Sequence, residues 1–301
     1  MSLHRTVLLN ETIDGLDLKS GSVVLDGTFG GGGHSREICK RYPGVKIIAL
    51  DQDSSTLKNK DSNCEIIFHN ENFRNLDRVL SAQGGPASGG EKVDGIIFDL
   101  GLSSDQLQNS GRGFSFLIDE SLIMQMKNSG KENPSGEDIT AQEIVNTWGE
   151  ESLADIIYGY GEEKQARRIA KAIVESRKKQ EIKTTFDLVK IIEQAIPAKF
   201  RKGRIHCATK TFQAIRIAVN DELGALAEGL QKGFEALRAG GRMSVISFHS
   251  LEDRIVKKFF RKQAEDKKAF LINKKPIIAS GEEVKNNPRA RSAKLRILEK
   301  I

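Results

Sequence analysis

A glycine-rich turn near the N-terminus constrains the fold more than any other stretch of the chain. The apolar residues 23–25 end at Asp26, and four consecutive glycines follow at residues 30–33 before a helix-compatible stretch over 35–41. A strand, a glycine-rich turn and a helix in this order form the nucleotide-binding unit of α/β proteins. Glycine lets a ligand approach the backbone, and the first amides of the next helix suit an anionic or polar group. The alternative is a plain surface turn. Four glycines cost backbone entropy on folding, and a plain turn gives no reason for that cost, so the stretch predicts a cofactor site.

Acidic residues end three of the predicted strands. The strand over residues 22–25 leads to Asp26, the strand over 45–51 ends at Asp51, and the strand over 93–101 contains Asp99. Alternation of strands and helices predicts a parallel sheet, in which the three carboxylates line one crevice at the carboxyl edge. Asp51 follows the glycines by about twenty residues, the position from which a carboxylate reaches ribose hydroxyls. Carboxylates without Cys or His partners suit hydroxyl and amine groups better than a transition metal, so no metal is predicted.

Phe73 follows the predicted strand over residues 65–69, at the edge where ligands of open α/β sheets bind. Its ring could stack on an adenine, or it could belong to the core of the sheet. Both interpretations stay open on the sequence alone.

Composition bounds the class of protein. The chain has 301 residues, 38% hydrophobic and 29% charged, which predicts a globular protein of one or two domains. No apolar run approaches the roughly 20 residues that span a bilayer, and the N-terminus lacks a signal or transit pattern, so no membrane contact and a cytoplasmic location are expected. The three cysteines are far apart in sequence and lack a CxxC pair, which predicts neither a disulfide nor a zinc site. A net charge of +6 favours a polyanionic partner, although solvated helix faces would give the same excess.

A helical insertion interrupts the α/β pattern. From Thr140 to the end of the insertion the sequence shows only helical patterns, over residues 141–147, 151–160, 162–179 and 186–195. We therefore predict that residues 112–204 form an inserted all-helical domain. The surrounding domain is formed by residues 1–111 and 205–301. Residues 112–116 interleave a cation with aromatics, as in a nucleic-acid surface or a hydrophobic loop anchor.

The α/β pattern resumes after the insertion. We expect a single helix over 210–237 closed by Ala239, Gly240 and Gly241, and then a strand over 242–248. A helix over 249–264 and two edge strands, over 269–278 and 292–301, complete the predicted chain.

The glycine turn discriminates between two cofactor classes. A dinucleotide site needs G-x-G-x-x-G, and each reading frame through residues 27–36 fails at one glycine. The run from Asp26 to Gly30 is similar to the D-x-x-x-G turn of Rossmann-like methyltransferases.

Seven stretches carry a more specific resemblance. They are DGTFGGGGHS (26–35), DGIIFDLGLSS (94–104), RGFSF (112–116), YGEEKQARRIAKA (160–172), ATKTFQAIRIAVN (208–220), SFHSLEDRIV (247–256) and NPRARS (287–292). In this order they closely resemble the bacterial MraW/RsmH family, the S-adenosylmethionine-dependent cytidine N4-methyltransferases of 16S ribosomal RNA. The resemblance implies a Rossmann-like class I methyltransferase domain with a helical insertion, and methylation of a cytidine in the decoding region. Its implied partner is 16S rRNA or the small ribosomal subunit, and a homodimer is compatible with the sequence.

The resemblance also implies site residues. The cofactor contacts of the family fall here on Gly32, Gly33, His34, Asp51, Phe73, Asp99 and Gln106. His34 and Gln106 rest on the resemblance alone. For catalysis, Asp99 is a candidate proton acceptor for the cytosine amine, and Ser103, Ser104 and His249 are weaker candidates for positioning the base.

One departure from the family borders the expected site. Where the family reads P-L-D-M-R-M, residues 121–126 read SLIMQM, without the acid and the arginine. An RNA-binding protein with little activity is therefore the second hypothesis, and a nicotinamide-dependent oxidoreductase the third.

Overall fold

The structure, a computed structural model, describes residues 5–55, 64–84, 91–127, 139–201, 203 and 205–301. The chain divides into two compact units, residues 1–101 with 223–301 and residues 102–222. The second unit therefore begins ten residues before the predicted insertion and ends after it. Across the described part of the chain, no helix combines the length and the apolar character that a membrane span requires.

A mostly parallel sheet organises the first unit. Its strands are β1 (Val23–Asp26), β2 (Lys46–Leu50), β3 (Glu65–His69), β4 (Val93–Asp99), β5 (Leu237–Ser247), β6 (Ala269–Leu271), β7 (Ile277–Ile278) and β8 (Lys294–Lys300). They are ordered β3-β2-β1-β4-β5-β8-β6, with β7 also paired to β8. Neighbours from β3 to β5 are parallel, and β8 runs antiparallel to β5, β6 and β7. The predicted α/β fold is confirmed, and the carboxyl ends of β1, β2 and β4 meet at one edge.

Helices cover the sheet. In the first unit they are α1 (Leu9–Leu16), α2 (Gly33–Arg41), α3 (Leu76–Gly84), α11 (Glu222–Ala236, from its second residue), α12 (Ser250–Glu265) and α13 (Gly281–Asn286). Near-continuous apolar residues make β1, β2 and β4 buried strands, as expected for a sheet with two covered faces. A Cβ on Gly233 would meet the side chains of Met243 and Ile96, so glycine lets α11 lie close against the sheet.

The second unit is helical and has its own apolar core. Its helices are α4 (Ser104–Gln108), α5 (Ala141–Thr147), α6 (Glu150–Gly159), α7 (Ala166–Arg177), α8 (Thr185–Ala195), α9 (Ala198–Arg201) and α10 (Thr209–Asn220). Ile144, Ile157, Ile169 and Ile192, one from each of α5 to α8, are fully buried in this core.

Three sequence predictions on this fold were wrong. The single helix expected over 210–237 is two helices, because Asp221 adopts a left-handed conformation (φ 45°) between α10 and α11. Residues 239–241, which include Gly240 and Gly241, lie inside β5 and terminate no helix. The last strand, β8, is not at the edge but between β5 and β6.

The expectation of unpaired thiols also fails for two cysteines. Cys39 near the end of α2 and Cys64 at the start of β3 form a disulfide. The parallel pairing of β2 with β3 brings these distant positions together, which no sequence spacing indicates.

Candidate functional site

The turn between β1 and α2 forms a cradle that only glycine allows. Gly32 has a φ of 69°, and a Cβ at this position would overlap the Phe29 ring. A Cβ on Gly33 would overlap the Thr6 hydroxyl. The first amides of α2 precede its first intrahelical hydrogen bond, from Arg36 N to Gly32 O, and this end of the helix suits a carboxylate or another polar group.

Asp26 holds this turn in place. Its Oδ2 accepts a hydrogen bond from Ser35 Oγ at 2.6 Å, and its Oδ1 accepts one from Thr28 N at 3.2 Å. Burial raises the pKa of Asp26 to about 6, although these two hydrogen bonds oppose the shift. We therefore assign Asp26 a structural role at the crevice that its position at the end of β1 predicted.

Asp51 follows β2 and faces the same turn. Its Oδ2 accepts a hydrogen bond from Gly30 N at 2.7 Å, and its Oδ1 accepts one from Asp53 N at 2.8 Å. These bonds fix the orientation of the carboxylate, which is an acceptor for hydroxyl donors. The geometry suits the ribose contact that the sequence predicts for Asp51.

Asp99 at the end of β4 is the most perturbed acid of the site. Its amide donates to Thr28 Oγ1 at 2.6 Å, and its Oδ2 lies 3.8 Å from His34 Nδ1. A quarter of its side chain is exposed, yet Oδ1 is buried and has no hydrogen-bond partner among the described residues. Burial, with the nearby carboxyls of Asp26 and Glu252, raises the pKa of Asp99 to about 8. A buried oxygen that lacks a donor is suited to an incoming amine or ammonium group.

The packing of Phe73 bears on one of the two interpretations left open by the sequence, that it belongs to the core of the sheet. Its ring lies 5.0 Å from that of Phe98 on β4, and a Cβ on Gly229 of α11 would overlap it. It therefore packs on the core of the first unit but remains partly exposed at the edge of the site. Adenine stacking by Phe73 stays a prediction.

His249 caps α12. Its Nδ1 accepts from Glu252 N at 3.3 Å, while Glu252 Oε2 accepts from Phe248 N at 2.8 Å and from His249 N at 3.2 Å. This capping box commits Nδ1 of His249 to the helix start, and a role for His249 in positioning the cytosine stays a prediction.

The remaining predicted residues belong to the second unit. Gln106 Oε1 accepts from Ser103 N at 3.0 Å, and Ser103 Oγ accepts from Gln106 N at 3.1 Å, so the two residues close the first turn of α4. Ser104 begins this helix, and its side chain lies outside the described part of the structure. The cofactor contact of Gln106 and the catalytic roles of Ser103 and Ser104 stay predictions.

Sequence reasoning missed two residues that shape the site, Thr28 and Glu252. Thr28 joins the glycine turn to β4 through the amide of Asp99, and the buried Glu252 adds negative charge beside it. Glu252 lies three residues after His249, the spacing of a capping box, which is the only sequence signal for it.

The sheet has one reversed strand beside β5, and the glycine cradle is flanked by Asp51 and Asp99. Together these features define a Rossmann-like class I methyltransferase. The family model of the MraW methylase family matches residues 1–301, and the chain belongs to this family. It is similar to the ribosomal RNA small subunit methyltransferase H of Acetivibrio thermocellus, with 46% identity over 321 residues that cover 99% of each chain. The protein of the same name from Lactobacillus johnsonii is 44% identical over 322 residues, again with 99% of each chain covered.

S-adenosylmethionine is the cofactor of this methyltransferase, and the described residues fit it. Asp51, held by the Gly30 amide, offers the carboxylate acceptor that ribose hydroxyls need, and the buried Asp99 Oδ1, which has no partner among the described residues, is an acceptor for an amine or ammonium group. When bound, the cofactor supplies an electrophilic methyl group on its sulfonium.

Proposed function

We propose that this protein transfers a methyl group from S-adenosylmethionine to the exocyclic N4 amine of a cytidine in the decoding region of 16S rRNA. The observation that carries the proposal is the end-to-end similarity to relatives whose names specify methylation of small-subunit ribosomal RNA. The cytidine and its N4 position rest on the motif resemblance, which includes DGIIFDLGLSS around Asp99.

The chemistry that this substrate needs matches the state of Asp99. The N4 lone pair of cytosine is delocalised into the ring, so the amine becomes nucleophilic only when a hydrogen-bond acceptor pyramidalises it and takes a proton. In its ionised form Asp99 Oδ1 is such an acceptor, and a pKa of about 8 lies close enough to neutral pH for part of the carboxyl to be ionised while it remains a strong base. Positioning of the amine in line with the methyl group adds the proximity contribution.

We assign cofactor binding and RNA recognition to different units. The first unit contains the cradle, Asp51 and Asp99, and so holds the cofactor and the reacting groups. We assign RNA recognition to the inserted helical unit, with the compact unit 102–222 as its extent in place of the predicted 112–204.

The altered stretch 121–126 is held firmly within the second unit. Leu122 N donates to Lys183 O at 3.2 Å, and the side-chain amide of Asn220 bridges Met124 O and Met126 N at 2.8 and 2.7 Å. Gln125, where the family has arginine, donates to Ile139 O at 3.1 Å. The local structure therefore stands without the acid and the arginine, and the transfer assay below separates the enzyme from the inactive RNA-binding hypothesis.

Transfer of labelled methyl from S-adenosylmethionine to small ribosomal subunits tests the proposal, with subunits from cells that lack the modification. Digestion to nucleosides should yield labelled N4-methylcytidine. Small subunits that already carry the modification are the matched control and should accept no label. Tight cofactor binding in calorimetry without any transfer would overturn the proposal in favour of the RNA-binding hypothesis.

The Asp99→Asn variant tests the assigned residue. We expect it to lose methyl transfer by about 100-fold or more, the usual contribution of a positioned proton acceptor. If both transfer and cofactor affinity were unchanged in this variant, Asp99 would have neither role.

A further inference from the structure

An aromatic ladder in the second unit runs from its core to its surface. Phe212 on α10 is buried, and its ring meets that of Phe116 edge-on at 5.6 Å. The Phe116 ring is in turn stacked on His206, with 4.9 Å between centroids and 18° between planes. His206 ends the ladder, and its side chain is 38% exposed.

Hydrogen bonding fixes the orientation of the His206 ring. Its Nδ1 accepts from Ala208 N at 3.2 Å, which places the ring proton on Nε2, 3.5 Å from a carboxylate oxygen of Glu193. Cys207 is also near, and the three potential ligand atoms lie within 4.8 Å of one another. Because Nδ1 is occupied and Nε2 carries a proton facing the Glu193 carboxylate, the imidazole is a poor metal ligand.

A second exposed ring lies on the short helix next to this ladder. Phe200 on α9 is 52% exposed, and the Lys199 ammonium lies 4.9 Å from the centroid of its ring. The charge of Arg201 acts on the Cys207 thiol and so places α9 beside the segment that carries His206. Exposed aromatic faces next to cations are the composition of a surface for single-stranded nucleic acid.

We propose that the aromatic surface formed by Phe116, Phe200 and His206 binds unpaired nucleotides of the substrate RNA, with a base stacked on the outer face of His206. The inference rests on the proposed function, since it names the part of the RNA that the second unit would hold. The ladder gives the imidazole a rigid backing, so little side-chain entropy is lost when a base stacks on it. Lys199 and Arg201 supply positive charge for the phosphates of the same strand.

The neighbouring cation and aromatic of the same motif do not join this surface. The Arg112 guanidinium donates to the carbonyls of Gln125 and Met126 at 3.0 Å, and the Phe114 ring under it is buried. Of the two interpretations of residues 112–116, the loop anchor therefore describes Arg112 and Phe114, and the nucleic-acid surface describes Phe116.

Variants at His206 separate stacking from charge. The probe is a fluorescein-labelled single-stranded RNA of about 12 nucleotides, composed of uridine and cytidine, within the usual site size of such surfaces. Loss of one stacked base predicts that His206→Ala weakens its binding by about 5- to 100-fold, whereas His206→Phe keeps a stacking face and stays near wild type. Phe200→Ala should also weaken binding, and the matched control Phe186→Ala, which removes an equally exposed ring (48%) from α8, should not.

A spectroscopic readout reports stacking itself. A 2-aminopurine placed in the same RNA should lose fluorescence on binding to wild type and to His206→Phe, but not to His206→Ala. Unchanged melting temperature and cofactor calorimetry would show that each variant is folded. Should His206→Phe bind as weakly as His206→Ala, or should a duplex of the same length bind as well as the single strand, the proposal would be wrong. Methyl transfer by wild type is measured separately, so either proposal can fail without the other.

Discussion

Replacement of Asp99 by asparagine should make the free protein more stable while it removes activity. The Asp99 carboxyl has a pKa of about 8 in the fold and 3.8 as the ordinary value. Between these pH values the native state holds a proton that the unfolded chain releases. Stability therefore falls as the pH rises from about 4 to about 8. Asparagine has the same shape and needs no proton, so the variant escapes this penalty.

The size of the effect follows from the two pKa values. At pH 7, about three pH units above the ordinary pKa, the unfolded chain has ionised while the native state still holds the proton. At about 1.4 kcal/mol per pH unit, this lowers the free energy of unfolding of the wild type by about 4 kcal/mol. Because a quarter of the side chain is exposed to water, we expect about half of this, ~2 kcal/mol. For a chain of this length that corresponds to a rise in Tm of about 4 °C. The difference should shrink to near zero at about pH 4.

Differential scanning calorimetry of both proteins without cofactor, from pH 4.5 to 8.5, measures this difference. Asp51→Asn serves as the control, because it weakens the acceptor of the Gly30 amide and at pH 7.5 should lower stability, by about 1 kcal/mol, where Asp99→Asn raises it. A Tm for Asp99→Asn at or below that of wild type at pH 7.5, or a difference that does not change with pH, would refute the reasoning.

Three further substitutions test other parts of the first unit. Gly33→Ala should weaken cofactor binding at least tenfold in calorimetry, because its Cβ overlaps the Thr6 hydroxyl, and Thr6→Ala in the same chain should restore part of the affinity. In Asp253→Asn the carboxylate that accepts from Lys294 and Arg296 is lost; these two cations hold the pKa of Asp253 below its ordinary value. Denaturation at pH 7 should therefore show a free energy of unfolding lower by about 1–3 kcal/mol, and this difference should fade as the pH falls below about 4. Lys267→Gly should raise stability by about 1 kcal/mol, since Lys267 is exposed with a φ of 57° after α12, whereas Lys268→Gly, outside the left-handed region, should lower it.

Local chemistry made the first half of the sheet predictable. Strands β1, β2 and β4 each combine an uninterrupted apolar run with a terminal or following acid, and the glycines between Asp26 and α2 require a tight turn. The break at Asp221 could not be predicted in this way, because aspartate adopts a left-handed conformation only where the tertiary structure demands it. The interior position of β8 depends on pairing with β5 across a large sequence separation, and a strand pattern alone does not reveal its neighbours.

The sequence predicts which acidic residues lie at the candidate site, but it does not predict their pKa values. Asp51 and Asp99 were identifiable from their positions at strand ends. The raised pKa of Asp99 depends on burial and on Glu252, a residue from a helix far along the chain, so the sequence held no sign of it. The disulfide between Cys39 and Cys64 likewise arises from strand pairing.

The interruption of the sheet by the helical unit dictates an order of folding during synthesis. Strand β4 must wait for β5 as its neighbour, with Val93 paired to Leu237, and the whole helical unit is synthesised between these two strands. Until then β4 presents an open edge, the kind of surface that promotes misassembly. The helical unit has an apolar core of its own, and a compact insert leaves β4 and β5 a shorter effective loop to close than an extended chain of the same length would. A compact unit inserted between two strands of a sheet thus lowers the entropic cost of pairing those strands.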